Sequence, residues 1–208
     1  METKWLNVEA LLLRKTPYGD SSIIASLLTA EAGLVDVMFR GALKGNKNKL
    51  THLDYCKVFR MRLKSGKSSQ SFYYGDELEL LEDFQELPLS YNHFQTAMKL
   101  CKFLRSVMEE DDSQEAVFRA VITAFRRLNE RNMPEKVIAG FLLWYLYLHG
   151  SYPQVKPESE QYYAMHKVCL YGAGKEIEHT YDEEKWIEIL NWLIDFAITN
   201  GIQANRLR

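Results

Sequence analysis

The hydrophobic period of the chain changes at about residue 80, and this change limits the folds available to it. Before that point, short runs of β-branched and aromatic residues are separated by turns that contain Gly, Pro or Asp. Such runs are typical of β-strands. We predict five strands, over residues 8–13, 22–29, 34–39, 56–63 and 70–74. Five short strands within about 75 residues favour a small closed barrel of the OB type.

After residue 80 the apolar residues recur every three to four positions, which is the spacing of amphipathic helices. Helices are predicted over residues 91–108, 113–128, 135–149 and 182–200, with a proline-containing loop at 151–159. Ser113 and Asp182 are the predicted N-caps, and Pro134 suits the first turn of the third helix. The chain is therefore predicted to be α+β, with a five-stranded OB-type β-barrel at residues 1–80 and an α-helical C-terminal domain at residues 81–208.

Composition and cysteine usage point to a soluble protein of a reducing compartment. A chain of 208 residues is long enough to bury a substantial core without disulfides. Its cysteines, Cys56, Cys101 and Cys169, are odd in number and far apart, which is not a disulfide framework. Residues 4–15 lack the pattern of a signal peptide. The longest apolar run, residues 139–148, is too short to span a bilayer. We predict a cytoplasmic location.

The charge of the chain is segregated, although the net charge of −2 alone would argue against nucleic-acid binding. Residues 14–67 carry 11 basic against 4 acidic residues, whereas residues 81–208 carry 14 against 19. Residues 40–67 hold nine Lys and Arg and one acid, Asp54, and an aromatic segment, residues 72–74, follows. A local basic surface tracks a phosphate backbone whatever the total charge, and flat rings stack on bases. This pattern predicts a nucleic-acid-binding protein.

The candidate DNA-binding residues fall into three groups. Arg40 and the lysines after it lie in a Gly- and Asn-rich loop, which is either a phosphate clamp or a solvated loop. The basic residues at 60, 62 and 64 alternate and so share one strand face, which is either a DNA contact or an ordinary polar face. Tyr74 is a stacking candidate, since Phe72 shares its face and Tyr73 takes the other. The complete set is Arg14, Arg40, Lys44, Lys47, Lys49, Arg60, Arg62, Lys64, Lys67 and Tyr74.

We find no catalytic or metal-binding pattern in the sequence. Residues 66–68 read Gly-Lys-Ser, but a phosphate-cradling loop needs a glycine where Met61 stands. His166, Cys169 and His179 provide no fourth ligand for a tetrahedral metal. The acidic run at 109–112 indicates a solvated loop and not an acid–base pair. We predict no enzymatic activity, no cofactor and no metal.

Several ordered motifs resemble the bacterial recombination mediator family RecO. They are ALLLR at 10–14, PYGDS at 17–21, LLT at 27–29, GL at 33–34 and RGA at 40–42, with ELELLEDF at 77–84 and LYLHGSYP at 146–153 further on. The resemblance implies an OB-fold followed by a helical domain. It also implies a non-enzymatic protein that binds single- and double-stranded DNA and anneals complementary strands. With its partner RecR, such a protein helps RecA to replace single-strand-binding protein (SSB) at gaps.

The sequence departs from the family at a segment where many members carry a four-cysteine zinc module. Residues 154–163 contain no cysteine, and Cys169 stands alone. A tetrahedral structural site needs two Cys-x-x-Cys pairs. We therefore predict a degenerate, zinc-free module near residues 151–180.

The resemblance also implies that the helical domain binds the acidic, Phe-tipped tail of SSB. Basic side chains beside apolar helix stripes suit a carboxylate next to a phenyl ring. The candidate partner-binding residues are Arg105, Arg119, Arg126 and Arg127. Exposed helix ion pairs are the alternative reading of these arginines. A non-enzymatic adaptor that docks protein partners and binds little DNA is the alternative for the whole chain.

Overall fold

The computed structural model describes residues 5–43, 53–65, 72–108, 114–157, 159–177 and 181–208. Five strands come first: β1 Trp5–Tyr18, β2 Ser22–Thr29, β3 Gly33–Phe39, β4 Lys57–Lys64 and β5 Tyr73–Asp83. They close into a barrel in the order β1-β2-β3-β5-β4. Only the β3–β5 pairing among these is parallel. The predicted five-stranded barrel and the α+β class are confirmed.

Alternation of apolar and polar residues builds the barrel interior. On β3, Val35, Val37 and Phe39 are buried, while the residues between them are half-buried and face outward. Leu27 on β2 and Phe59 on β4 join the same core. Because side chains alternate along a strand, the outward positions are fixed as soon as these core positions are known.

Two strands run further than predicted. β1 extends to Tyr18, and β5 extends from Tyr73 to Asp83. The predicted fifth strand ended at residue 74, and the residues that follow it are rich in Glu. In the fold, β4 supplies a hydrogen-bonding partner along this acidic segment, from Tyr74 opposite Lys64 to Asp83 opposite Lys57. The outward carboxylates are therefore compatible with a strand, since one face of it remains exposed.

The chain divides into two compact units, one of residues 1–84 with 108–118 and the other of residues 85–107 with 119–208. The helices are α1 Tyr91–Val107, α2 Glu115–Asn129, α3 Pro134–Leu148, α4 Glu160–Gly172 and α5 Glu183–Thr199. Short 3-10 helices cover Leu87–Leu89 and Ala204–Leu207. The assignment of functions to residues 1–80 and 81–208 stays a prediction.

Helix ends follow the expected chemistry where the structure describes them. The Asp182 side chain accepts a hydrogen bond from the Lys185 backbone N–H, which confirms the predicted N-cap of α5. Pro134 opens α3, where its missing N–H costs nothing. The other predicted cap, Ser113, lies outside the described residues.

Helix α4 is absent from the sequence prediction. It occupies the segment where the resemblance suggested a degenerate zinc module, and Cys169 is buried within it. Its Ser159 N-cap accepts a hydrogen bond from the backbone N–H of Tyr162. Helix–helix packing and capping therefore order this segment. None of the described helices is both long enough and apolar enough to traverse a lipid bilayer.

Candidate nucleic-acid interface

Arg40 and Tyr74, two of the predicted DNA-binding residues, meet on the outside of the barrel. Arg40 directly follows β3, and Tyr74 lies at the start of the neighbouring strand β5. The Arg40 Nη2 donates to the Tyr74 hydroxyl at 2.9 Å, and the guanidinium carbon lies 4.6 Å from the ring centroid. The Arg40 side chain is exposed. The arrangement offers a fixed cation next to an aromatic ring.

The outward positions around β2 and β3 form a continuous surface, which we call the β2–β3 face. Its rows are set by strand register. One row runs from Arg14 to Ser26 and on to Asp36, and the next runs from Thr16 to Ile24, Met38 and Tyr74. Arg14 and Arg40 are exposed at this face. In OB-folds this is the side of the barrel that commonly binds oligonucleotides, together with the β1–β2 and β4–β5 loops.

Two aromatic residues extend the β2–β3 face toward those loops. Tyr18 is the last residue of β1 and is exposed, and Phe72 directly precedes β5. Their ring centroids lie 6.4 Å apart with a tilt of 59°. Phe72 shares the predicted face of Tyr74, whereas Tyr18 entered the prediction only as part of the PYGDS motif at 17–21. Tyr73 points the other way and packs against the barrel core, as the alternation requires.

The second basic row follows β4, and we call it the β4 face. Arg60, Arg62 and Lys64 occupy alternate positions of this strand, and Met61 and Leu63 between them are buried. The row lies between β1 and β5. The exposed Trp5 of β1 stands opposite Lys64, and the Arg62 guanidinium carbon lies 4.6 Å from its ring centroid. Sequence reasoning missed Trp5, because only the β1–β4 register brings it to this row.

Carboxylates neutralise much of the β4 face. Arg62 Nη1 donates to Glu77 Oε1 at 2.7 Å. Arg60 pairs with Glu79 at 3.4 Å and with Glu9 at 3.5 Å. These acids belong to the barrel itself and not to the acidic helical unit. The β2–β3 face and the β4 face therefore differ in electrostatics, although both carry predicted DNA-binding residues.

Four predicted residues, Lys44, Lys47, Lys49 and Lys67, lie outside the described residues, so their contribution stays a prediction. Lys15, also within the basic stretch, contacts Asp54 through its Nζ at 2.7 Å. Burial raises the pKa of Asp54, but the hydrogen bonds from Lys15 and from the Tyr55 backbone outweigh it, so the net pKa lies below its usual value. This ion pair ties the segment before β4 to β1.

The four predicted partner-binding arginines have different environments. Arg119 and Arg126 are exposed on α2, and Arg105 on α1 is half-buried. Arg127 is only 6% exposed. Its guanidinium donates to the carbonyl oxygens of Tyr171 and Lys175 and lies over the Tyr171 ring. The structure thus corrects the interpretation of Arg127: its donors hold α2 against the end of α4 and face no groove.

An apolar cavity of about 470 Å³ lies between α3, α4 and α5 in the helical unit. None of the four predicted arginines lines it. Leu143, Met165 and Trp192 contribute apolar surface, and Lys185 and Glu160 contribute charges. The cavity is large enough for an aromatic side chain of a partner.

The cysteines are poor candidates for metal or redox chemistry. Cys56, Cys101 and Cys169 are all buried and none forms a disulfide. Burial raises the pKa of Cys56 to about 12 and that of Cys169 to about 11. The thiolate is the form that binds metal, and the raised pKa values keep both side chains as protonated thiols at neutral pH. Within the described ranges, no three His, Cys, Asp or Glu side chains converge to hold a metal ion.

Comparison with known proteins agrees with this architecture. The family model described as "Recombination protein O N terminal" matches residues 1–84. The DNA repair protein RecO of Symbiobacterium thermophilum is 25% identical over 150 residues, which are 72% of this chain and 58% of the relative. Those of Salinibacter ruber and Bacillus pumilus are each 28% identical, over 60% and 81% of this chain and 47% and 60% of the relative.

The chain thus spans about half to three fifths of the length of these curated relatives. The matches share one description and extend from the barrel into the helices. They agree with the ordered motifs and with the five-stranded barrel. Residues 1–84 thus match the RecO N-terminal family model, and the chain is similar to curated RecO proteins.

Proposed function

We propose that the protein is a DNA-binding recombination mediator that acts in repair without catalytic turnover. It would bind and anneal single strands and, with RecR, help to load RecA onto SSB-coated gaps. The relatives are named DNA repair proteins, which supports a role in repair. The observation that carries DNA binding is the Arg40–Tyr74 pair on an OB barrel, because it sets a solvent-facing cation beside a ring. Such a role belongs in the cytoplasm.

The proposed DNA path follows the β2–β3 face. Arg14 and Arg40 would contact phosphates, and Tyr74, Tyr18 and Phe72 would offer rings to bases. Contacts of this kind do not depend on base sequence, which suits a protein that must act at any gap. Lys64 borders the path, because it lies opposite Tyr74 in the barrel. The lysines at 44, 47, 49 and 67 would extend the basic surface along the connecting loops.

The helical unit is proposed to bind protein partners. The apolar cavity between α3, α4 and α5 matches the phenyl ring at the tip of the SSB tail, and Lys185 at its edge matches the terminal carboxylate. Arg105, Arg119 and Arg126 stay candidates for contacts with the acidic residues of the tail. The two sites can be told apart by substitution. If the tail binds in the cavity, loss of Lys185 should impair binding. If it binds on α1 and α2, loss of the arginines there should impair it.

A labelled single-stranded oligonucleotide in a salt series tests the central proposal. Fluorescence anisotropy should give an affinity that falls with salt, with a slope of about −0.7 per neutralised phosphate. A strand-annealing assay on SSB-coated DNA, with intact SSB and with SSB that lacks its tail, tests the mediator role. Loss of annealing stimulation with tailless SSB would support the tail site.

The alternative is a non-enzymatic adaptor whose helical unit docks partners while the barrel binds little DNA. The observation that favours it is the pairing of Arg60 and Arg62 with acids, which neutralises their positive charge on the β4 face. A salt-independent anisotropy signal together with binding of the SSB tail would select the adaptor. Salt-dependent DNA binding would select the mediator.

A further inference from the structure

Two carboxylates of β5 occupy the guanidinium groups of β4. Arg62 is held by Glu77 at 2.7 Å and Arg60 by Glu79 at 3.4 Å, and both acids are exposed. Phosphate and carboxylate bind guanidinium with the same fork geometry. A phosphate group that approached this row would therefore have to displace a carboxylate that is already in place.

The backbone of β5 is irregular where it contacts this row. The β4–β5 register shifts between Arg60, which pairs with Glu79, and Arg62, which pairs with Asp76. β5 has one residue more than β4 between these two pairs, and Glu77, which lies there, has a φ of 55° in the left-handed region. That conformation is unfavourable for a residue with a Cβ and typically marks a bulge or a functional position. Glu79, opposite Arg60, and Glu77, within the bulge, both contact the arginine row.

The surroundings of the row suit a nucleic-acid strand. A groove of about 530 Å³ runs along it, bordered by Asn7 and by the two ion pairs. At its end, Trp5 is 41% exposed, and Lys64 Nζ lies 5.7 Å from its ring centroid. Cations along a groove with an exposed ring at one end are the elements of a single-strand site. Only the carboxylates oppose that use.

We propose that Glu77 and Glu79 act as an intramolecular competitor for phosphate, so that the β4 face is a second single-strand-binding surface held closed by its own acids. This inference rests on the proposed function, since it assigns a second DNA surface to the same barrel. Strand binding is then directed to the β2–β3 face. The β4 face engages a strand only when phosphate displaces the two carboxylates.

The test compares Glu77→Gln/Glu79→Gln with the full-length wild-type chain, using the labelled oligonucleotide in a salt series. Glutamine keeps the shape and removes two negative charges. Arg62 loses its acid partner Glu77, whereas Arg60 keeps Glu9 at 3.5 Å, so we expect a slope steeper by about 0.7 to 1.4 and an affinity up to about tenfold higher at low salt. The matched control is Glu183→Gln/Glu184→Gln, on exposed acids at the start of α5. It changes the net charge equally and should leave affinity and slope unchanged.

A second pair of variants substitutes the arginines, and their affinity for the same oligonucleotide is measured. Arg60→Gln/Arg62→Gln in the wild-type background should change the affinity less than about twofold, because those side chains are already occupied. The same pair added to the glutamine variant should abolish the gain. Circular dichroism on every variant shows whether the barrel is retained.

The outcomes separate this inference from the proposed function. If the wild-type chain binds with a salt slope but Glu77→Gln/Glu79→Gln matches the control, the competitor is disproved and the proposed function stands. A gain that survives removal of the arginines would also overturn it, since the effect would then be one of general charge. If neither the wild-type chain nor the variant binds, both proposals fail.

Discussion

Gly172 of α4 meets Gly140 of α3 with backbone against backbone. A Cβ added to Gly172 would lie 1.9 Å from the Gly140 carbonyl oxygen and 2.9 Å from the Trp144 Cβ. Only a residue without a side chain fits at this crossing. The close approach packs α4 onto the buried helix α3 in the segment where many RecO proteins are expected to carry zinc. Packing of this kind offers a physical substitute for metal ligands.

Gly172→Ala should therefore destabilise the helical unit, although alanine is the better helix former. The clash is with backbone, which cannot rotate away, so we expect a loss of about 2–3 kcal/mol. Urea unfolding followed by far-ultraviolet circular dichroism measures it. Gly150→Ala is the matched control: its φ of 68° adds strain but nothing lies within 4 Å, so it should cost about 1 kcal/mol. Equal losses in the two variants would refute the crossing as the cause.

Arg127 should be more important for stability than any exposed arginine of α2. It is buried, and its donors satisfy two carbonyl oxygens and contact Glu176 at 3.3 Å. Arg127→Met removes these bonds and leaves buried acceptors, which should cost about 3 kcal/mol. Arg126→Ala, on the adjacent exposed position, should stay within about 0.5 kcal/mol. The urea midpoints of the two variants measure these losses. An Arg127→Met protein as stable as wild type would contradict the structural role.

Burial of the thiols predicts slow chemical modification of the folded protein. The pKa of Cys56 is about 12, against a reference of 9.0. The fraction of thiolate at neutral pH is therefore lower by about a thousandfold than for an exposed cysteine. Cys169, at about 11, should be suppressed by about a hundredfold. Iodoacetamide labelling followed by mass spectrometry measures the rates, and urea should restore them. Rapid labelling of Cys56 without denaturant would show that the segment before β4 opens readily.

The local elements could be predicted from sequence, but the contacts between distant residues could not. β2 was predicted at 22–29 and lies there, because its apolar run has turns at both ends. α4 was missed, because aromatic, charged and small residues are mixed along it without a clear stripe. The Arg62–Glu77 pair joins two strands across 15 positions of sequence, so it depends on the β4–β5 pairing, which no local pattern reports. Arg127 contacts residues more than 40 positions away, and no local pattern reports such a bond.

The Lys15–Asp54 pair predicts a dependence of stability on pH. The pKa of Asp54 is lowered in the folded protein from its reference of 3.8, so its stabilising effect is complete above that value and is lost as the pH falls through the folded pKa. Asp54→Asn should be less stable than wild type near pH 7 by up to about 1 kcal/mol, since the pair is largely exposed. The difference in urea midpoint should narrow as the pH falls below 3.8 and through the lowered folded pKa. A difference that does not change with pH would exclude the ion pair as its source.

The Arg40–Tyr74 pair gives the most direct test of the DNA path. Arg40→Gln should weaken single-strand binding uniformly across base sequences and flatten the salt slope by about 0.7, because one phosphate contact is lost. Tyr74→Phe keeps the ring but removes the hydroxyl that accepts from Arg40. It should lower affinity less than Arg40→Gln, and Tyr74→Ala, which also removes the stacking surface, should lower it more than Tyr74→Phe. Lys99→Gln, on α1 of the helical unit, is the charge-matched control and should leave the slope unchanged. An Arg40→Gln protein with the wild-type slope would remove Arg40 from the DNA path, because the loss of a phosphate contact must flatten the slope.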